Sequence, residues 1–329
     1  MKAIVYTEYG SPDVLHLEEV EKPTPKDDEV LVKVYAASVN AADWHLLTAD
    51  IFLVRLMAGG VLKPKNAILG ADVAGRVETV GRNVKQFRPG DEVFGDVFGH
   101  GSGSFAEYVS APESALVLKP ANLSFEQAAA VPLAAVTALQ GLRDKGNIQP
   151  GHKVLINGAA GGVGTFAVQI AKAFGAEVTA VCSTRNVEQT CSLGADQVID
   201  YTKEDFTRSG QQYNLILAVN GYHPLAAYKR ALAPGGIYIM AGGSPAQMFQ
   251  ALLLGPWLSM TGGKKLGAVS AKANQKDLTT IKELLEAGKV VPVIDRCYPL
   301  SEAAEAFRYL GAGHARGKVV ITVTHDSNV

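Results

Sequence analysis

What this sequence lacks narrows it first. Its three cysteines, Cys182, Cys191 and Cys297, are too few for a disulfide framework, and none belongs to a metal-type Cys-x-x-Cys pair. Neither charge sign dominates. With 31 basic against 32 acidic residues and a formal charge of −1, there is no electrostatic case for nucleic acid or an anionic membrane. Long hydrophobic runs are missing too. The most apolar window, Met248–Leu258, is broken by Gln250, Gly255 and Pro256 and is too short to span a bilayer. Lys2 leads straight into a strand-like Ala3–Tyr6, so no leader is expected. These features suggest a soluble enzyme of a reducing compartment, and a cytoplasmic location is expected.

At 329 residues the chain is long enough for two domains. Residues 1–118 carry short strand candidates at Ala3–Tyr6, Leu15–Val20, Glu29–Ala37, Ala74–Val80, Glu92–Phe94 and Ser104–Ser110, separated by glycine and proline turns. Such spacing predicts a barrel-like β domain, with short helices at Ser38–Leu47 and Phe52–Ala58. Ser124 and Gln127 form a capping-box pair that opens an alanine-rich helix. A second helix, Leu133–Asp144, follows. From Lys153 the rhythm becomes strand–helix alternation, which predicts a doubly wound parallel sheet. After a helix at Gln275–Ala287 the chain turns β-like at Val290–Val293. It then forms a helix at Ser301–Leu310, with Ser301 as N-cap, and a last strand at Lys318–Val323. The expected division is 1–119 with 267–329, and 120–266.

The densest signal is Lys153–Gly175. An apolar strand, Val154–Ile156, runs into a glycine turn, Gly158–Gly164, and then into a helix spaced by Phe166, Ile170 and Phe174. That context makes the turn a dinucleotide site, although Ala159 replaces the first glycine of the usual fingerprint. Ala160, Gly161, Gly162, Val163 and Gly164 would face the pyrophosphate at the helix N-terminus. The next strand ends Val181-Cys182-Ser183-Thr184-Arg185, without the acid that binds a ribose 2′-hydroxyl. Ser183, Thr184 and Arg185 instead suit a 2′-phosphate, so the expected cofactor is NADPH. Asn220 and Ala241, Gly242 and Gly243 close later strands and line the same crevice.

Five stretches in this order carry a resemblance: Gly70-Ala-Asp-Val-Ala-Gly-Arg-Val, Pro89-Gly-Asp-Glu-Val-Phe-Gly, Gly103-Ser-Phe-Ala-Glu-Tyr-Val, Ala159-Ala-Gly-Gly-Val-Gly and His314-Ala-Arg-Gly-Lys-Val-Val. Together they resemble the medium-chain dehydrogenase/reductase superfamily, in its zinc-independent quinone oxidoreductase branch. The resemblance implies a discontinuous GroES-like catalytic domain, a Rossmann cofactor domain and an active-site cleft between them. It further implies a homodimeric reductase of quinones or α,β-unsaturated carbonyls. A reductase of saturated aldehydes, ketones or enoyl thioesters, and a cofactor-binding regulatory protein, stay open beside it.

By the same resemblance, Asn40 and Asp72 or Ala71 match the first two zinc-ligand positions of metal-dependent relatives, and no metal is expected. His45 and His100 are isolated and make a poor metal site. Asn40 is the expected donor to the substrate oxyanion, with Asp43 orienting its loop and Trp44 and Phe52 as an apolar substrate wall. Thr137 matches a threonine near the nicotinamide, Tyr201 a tyrosine against the 2′-phosphate or the adenosine, and Lys318 a basic residue reaching the cofactor.

Overall fold

A computed structural model describes residues 1–50, 60–101, 103–243 and 263–325. Its strands are β1 (Lys2–Val5), β2 (His16–Glu19), β3 (Glu29–Val39), β4 (Asp72–Val80), β5 (Glu92–Asp96), β6 (Tyr108–Pro112) and β7 (Leu116–Leu118), then β8 (Lys153–Asn157), β9 (Glu177–Cys182), β10 (Gln197–Asp200), β11 (Tyr213–Ala218), β12 (Leu232–Met240) and β13 (Lys265–Ala268), and finally β14 (Ile294–Pro299) and β15 (Lys318–Thr322). Two compact units result, Met1–Leu133 with Ala273–Glu286 and Pro292–Val329, and Ala134–Lys272 with Ala287–Val291. The divisions lie beyond residues 119 and 266. The helix Phe125–Ala129 goes with the first unit because Phe125 stacks on Tyr35 of β3, ring centroids 4.6 Å apart. β13 goes with the second because it hydrogen-bonds along β12.

In the first unit β3 is the spine. It pairs with β4 along one edge, and on the other with β6 at its start and β15 at its end. The full sheet runs β14-β15-β3-β4-β5-β7 and is mostly antiparallel. Val30, Val32, Val34, Val73, Val93, Phe105, Phe307 and Val319 are buried in its core. This is the GroES-like, β-rich architecture.

The second unit is a six-stranded parallel sheet in the order β10-β9-β8-β11-β12-β13. Strands buried on both faces read as continuous apolar runs, as Val154–Ile156 and Leu215–Ala218 do. Chain order reverses direction between β8 and β11, which makes their carboxyl ends the switch point of a Rossmann sheet.

Several local expectations shift. The β-like Val290–Val293 is no strand; Val291 gives its N–H and carbonyl to the Gln169 amide (2.8 and 3.0 Å) and Pro292 has no N–H to offer a ladder. Ser301 lies inside a short 3₁₀ turn, Leu300–Glu302, and the α-helix Ala303–Gly311 starts after Glu302. The helix expected over Leu133–Asp144 runs from Pro132 to Leu139 and then widens to a π-turn, Gln140–Lys145. Ser124 and Gln127 do form the reciprocal capping box. Phe52 and the apolar window Met248–Leu258 lie outside the described residues.

Candidate functional site

Register alone assembles a polar cluster inside the first unit. Ser38 of β3 stands opposite Asp72 of β4, and Asp72 opposite Asp96 of β5, so the three side chains form a row across adjacent strands. Val319 stands opposite Val39, which sets Lys318 at the start of β15 beside Asn40 at the end of β3. All five residues are buried, as is Asp43 in the first turn of the helix Ala41–Thr48.

The cluster is hydrogen-bonded throughout. Asp72 Oδ2 accepts from the Ser38 hydroxyl, from Asn40 Nδ2 at 3.0 Å and from Lys318 Nζ at 3.4 Å, while its Oδ1 accepts from the Leu133 N–H at 2.8 Å. Asn40 Nδ2 also donates to Ser38 O at 3.2 Å, and Lys318 Nζ donates to Asn40 Oδ1. Both amide hydrogens of Asn40 are therefore engaged inside the protein. That changes its expected role, because a substrate oxygen must first displace Ser38 O or Asp72. Asp43 Oδ2 accepts the Asn40 N–H at 2.9 Å and its Oδ1 the Gly70 N–H at 3.2 Å, tying the helix start to the loop before β4. Trp44 packs on Gly311, where an added Cβ would fall 2.3 Å from its ring, so this indole is committed to the unit's own core. Lys318, 3% exposed, is no solvated strand-end lysine.

Burial, with the nearby Asp72 charge second, raises the Asp43 carboxyl to about 7 and the Asp96 carboxyl to about 8 from the ordinary 3.8. The folded protein therefore binds more protons than the unfolded chain between about pH 4 and pH 8, and its stability falls as pH rises through that window. Asp96→Asn keeps an oxygen for the Phe98 N–H, which Asp96 Oδ1 accepts at 2.8 Å, and has no charge to desolvate. It is expected to unfold at a higher Tm than the parent at pH 8.5 and to flatten the decline between pH 6 and pH 8.5. A thermal-unfolding series checks this; an unchanged slope would remove Asp96 as its source.

The second unit brings the other expected residues to the carboxyl edge of its sheet. The turn after β8 runs Gly158–Gly161 into the helix Gly162–Ala173. The first helical hydrogen bond is Thr165 N–H to Gly161 O, so the N–H groups of Gly162, Val163 and Gly164 precede the ladder. A Cβ at Gly164 would lie 2.1 Å from Gly158 O, whereas one at Gly161 would meet nothing nearer than Gly158 O at 3.8 Å. The first glycine packs helix on strand, and the second leaves the turn open to a ligand. Ala160 is buried between them. Asn220 lies against Gly158, its N–H on Asn157 O at 3.2 Å, and Ala241 bonds Ala218 O at 2.8 Å ahead of Gly242 and Gly243. Thr137 is buried in the helix Pro132–Leu139 of this unit.

At the end of β9, Ser183 Oγ accepts from Asn186 Nδ2 at 3.1 Å, and Thr184 and Arg185 are exposed. Tyr201, 62% exposed, hangs its N–H on Cys182 O at 3.0 Å and so stands next to Ser183. An acid missed in the sequence, Asp200, joins them. Thr184 Oγ1 donates to its Oδ2 at 2.6 Å, Thr202 bonds its Oδ1 at 2.7 and 3.0 Å, and Lys203 pairs with it at 3.3 Å. Thr184 leads these contacts in holding the Asp200 carboxyl well below the usual range. The signal was an Asp-x-Thr step after a strand, where a carboxylate commonly bonds its own chain two residues on.

The cluster around Asn40 does not fit a zinc ion. Asp72 has its oxygens filled by four donors, an ammonium lies in contact, and no thiolate or imidazole joins the set. Among the described residues no group of three or more His, Cys, Asp or Glu is placed to hold a metal. His45 is tied to Asp50, Nδ1 to Oδ1 at 2.9 Å. By contrast the open turn at Gly161, with three helix N–H groups before the ladder, fits a dinucleotide pyrophosphate.

A family model described as alcohol dehydrogenase GroES-like domain matches residues 26–121, and one described as zinc-binding dehydrogenase matches residues 193–321. The chain is 39% identical over 332 residues to 2-methylene-furan-3-one reductase of Solanum lycopersicum, covering 98% of this chain and 79% of the relative. It is 34% identical to the chloroplast envelope quinone oxidoreductase homolog of Arabidopsis thaliana, covering 98% of each. Among solved structures, the quinone oxidoreductase from Coxiella burnetii superposes with a TM-score of 0.86 at 30% identity, over 98% of this chain and 99% of that one. The chain thus belongs to the medium-chain dehydrogenase/reductase superfamily of oxidoreductases. Within it, this protein falls in the quinone oxidoreductase-like branch.

Proposed function

We propose that the protein is an NADPH-dependent, zinc-independent reductase of quinones or α,β-unsaturated carbonyls. The observation that carries this reading is the Rossmann switch point. It offers an open glycine turn, three helix N–H groups and a β9 end without an acid of its own. The relatives supply the substrate class, since those named above are a furanone reductase and quinone oxidoreductases. When bound, the reduced nicotinamide supplies hydride to a quinone or β-carbon. Ala160–Gly164 hold the pyrophosphate, Ser183 and Arg185 the 2′-phosphate with Tyr201 beside them, and Thr137, Asn220 and Ala241–Gly243 complete the crevice. Negative charge then builds on the substrate oxygen. Asn40 meets it by exchanging its 3.2 Å bond to Ser38 O, a neutral contact, for a charge-assisted one. Protonation is left to solvent.

Steady-state oxidation of NADPH against a panel of quinones, enals and enones, repeated with NADH and with saturated aldehydes, tests the reading. Turnover of the unsaturated acceptors with NADPH preferred is expected. Binding of NADPH without oxidation across the panel would favour a regulatory protein. A cytoplasmic homodimer without metal completes the proposal. The three free cysteines support the compartment, and the pairing of β13 on one side among the described residues supports the dimer. No helix among the described residues is long and apolar enough to cross a membrane. A monomer in size-exclusion chromatography, or stoichiometric zinc by elemental analysis, would remove the corresponding part.

A further inference from the structure

The buried cluster holds three carboxyls and a lysine, and the lysine bonds both Asn40 and Asp72. By resemblance, Asn40 and either Asp72 or Ala71 match metal-ligand positions. Asp72 accepts from four donors and gives to none, the pattern of an ionised carboxylate. Among the described residues the cation paired with it is Lys318, at 3.4 Å, with side chains 3% and 0% exposed. A buried anion of this kind stays in place only while its charge is matched nearby. Asn40 depends on the same cation. With Oδ1 facing Lys318, its amide group is oriented so that Nδ2 faces Ser38 O and Asp72. Turned over, the amide would set an NH₂ against an ammonium and a carbonyl against a carboxylate.

We infer that Lys318 is the built-in cation of the catalytic unit, taking the place that the resemblance gives to a metal ion. It neutralises Asp72 and fixes the orientation of the Asn40 amide, and so acts as a positioning residue. An ammonium needs no loading and takes hydrogen-bond acceptors where a metal would take thiolates. The other groups facing it bear on the outcome. Asp43 from the helix Ala41–Thr48 and Asp96 from β5 both feel its charge, and both lie in the raised range already described. Removing Lys318 would leave Asp72 unmatched beside two carboxyls that ionise as pH rises.

The test uses the full-length protein, with thermal unfolding at pH 6.5 and pH 9 and steady-state kinetics. Lys318→Met is expected to lower Tm by about 6 °C or more at both pH values, because the buried Asp72 carboxylate loses its partner cation. Adding Asp72→Asn removes the stranded charge and is expected to recover at least half of that loss. The kinetic arm rests on the proposed reductase reading. There kcat should fall at least tenfold in both variants while KM for NADPH stays within threefold, so the double variant regains stability without regaining turnover. Parental Tm for Lys318→Met at pH 9, losses that simply add in the double variant, or a double variant that fails to fold would each overturn the charge assignment. A stable double variant with parental kcat would overturn the positioning role. A tenfold rise in KM for NADPH at parental kcat would make Lys318 a cofactor contact instead. If the parent oxidises no NADPH, the reductase reading falls and the Tm arms still decide the charge assignment.

Discussion

A Gly161→Val protein is expected to fold and to bind NADPH at least about 100-fold more weakly than the parent. Position 161 has an ordinary backbone, φ −82°, and a Cβ there meets only Gly158 O at 3.8 Å. The folding cost is the poor N-cap behaviour of valine, about 1 kcal/mol, or a few degrees in Tm. What the side chain does occupy is the space over the helix N-terminus. A pyrophosphate pushed off those N–H groups loses charge-assisted bonds worth about 1.5–3 kcal/mol each, and two of them make the expected factor. Gly164→Ala should fail in the opposite way. Its Cβ would sit 2.1 Å from Gly158 O and 2.7 Å from the Ala159 carbonyl carbon, backbone atoms that cannot swing aside. The helix must lift from β8, at a cost of about 3 kcal/mol or more. Thermal unfolding and a fluorescence titration with NADPH separate the two. Parental affinity in Gly161→Val would reduce the glycine turn to a packing device.

That contrast shows what was readable before any coordinates. The strand–helix alternation after Lys153 was legible because β8 and β9 are apolar or β-branched runs closed by a glycine or polar turn, the pattern of strands buried on both faces. The glycine turn was legible for the same reason, since its demand is local. The polar cluster was not. Ser38, Asp72, Asp96 and Lys318 are far apart in the chain, and only the cross-strand register sets the first three in one row with Lys318 beside Asn40. For Lys318 the sequence left two readings, a basic residue that reaches the cofactor by resemblance and a solvated lysine at a strand end after the Gly317 turn. Nothing in sequence says that the strand after it lies against the end of β3. Val290–Val293 failed for a related reason, as the apolar run is real but its backbone partner is the side chain of Gln169, over a hundred residues away.

Arg185→Asp should then reverse the choice of nicotinamide, lowering the kcat/KM ratio of NADPH over NADH by at least about 100-fold. The weight falls on Ser183 and Arg185, because the Thr184 hydroxyl, expected to donate to the 2′-phosphate, already donates to Asp200 at 2.6 Å. Asp200 is the acid nearest this pocket, and it does not act as a ribose ligand in waiting. Thr184, Thr202 and Lys203 occupy its oxygens, and Lys203 offsets its charge. The exposed Arg185, two residues past Ser183, is expected to make the end of β9 hospitable to a dianion. A carboxylate at 185 withdraws a charged hydrogen bond worth about 1.5–3 kcal/mol and adds repulsion to the same phosphate. It also supplies the acceptor that a free ribose diol prefers at the end of a second strand. Most of the change should appear as a higher KM for NADPH, with NADH improved and kcat little altered, since the adenosine end lies far from the reacting carbon. An unchanged ratio would move phosphate recognition off the β9 end and leave Arg185 as a solvated charge at the start of a helix.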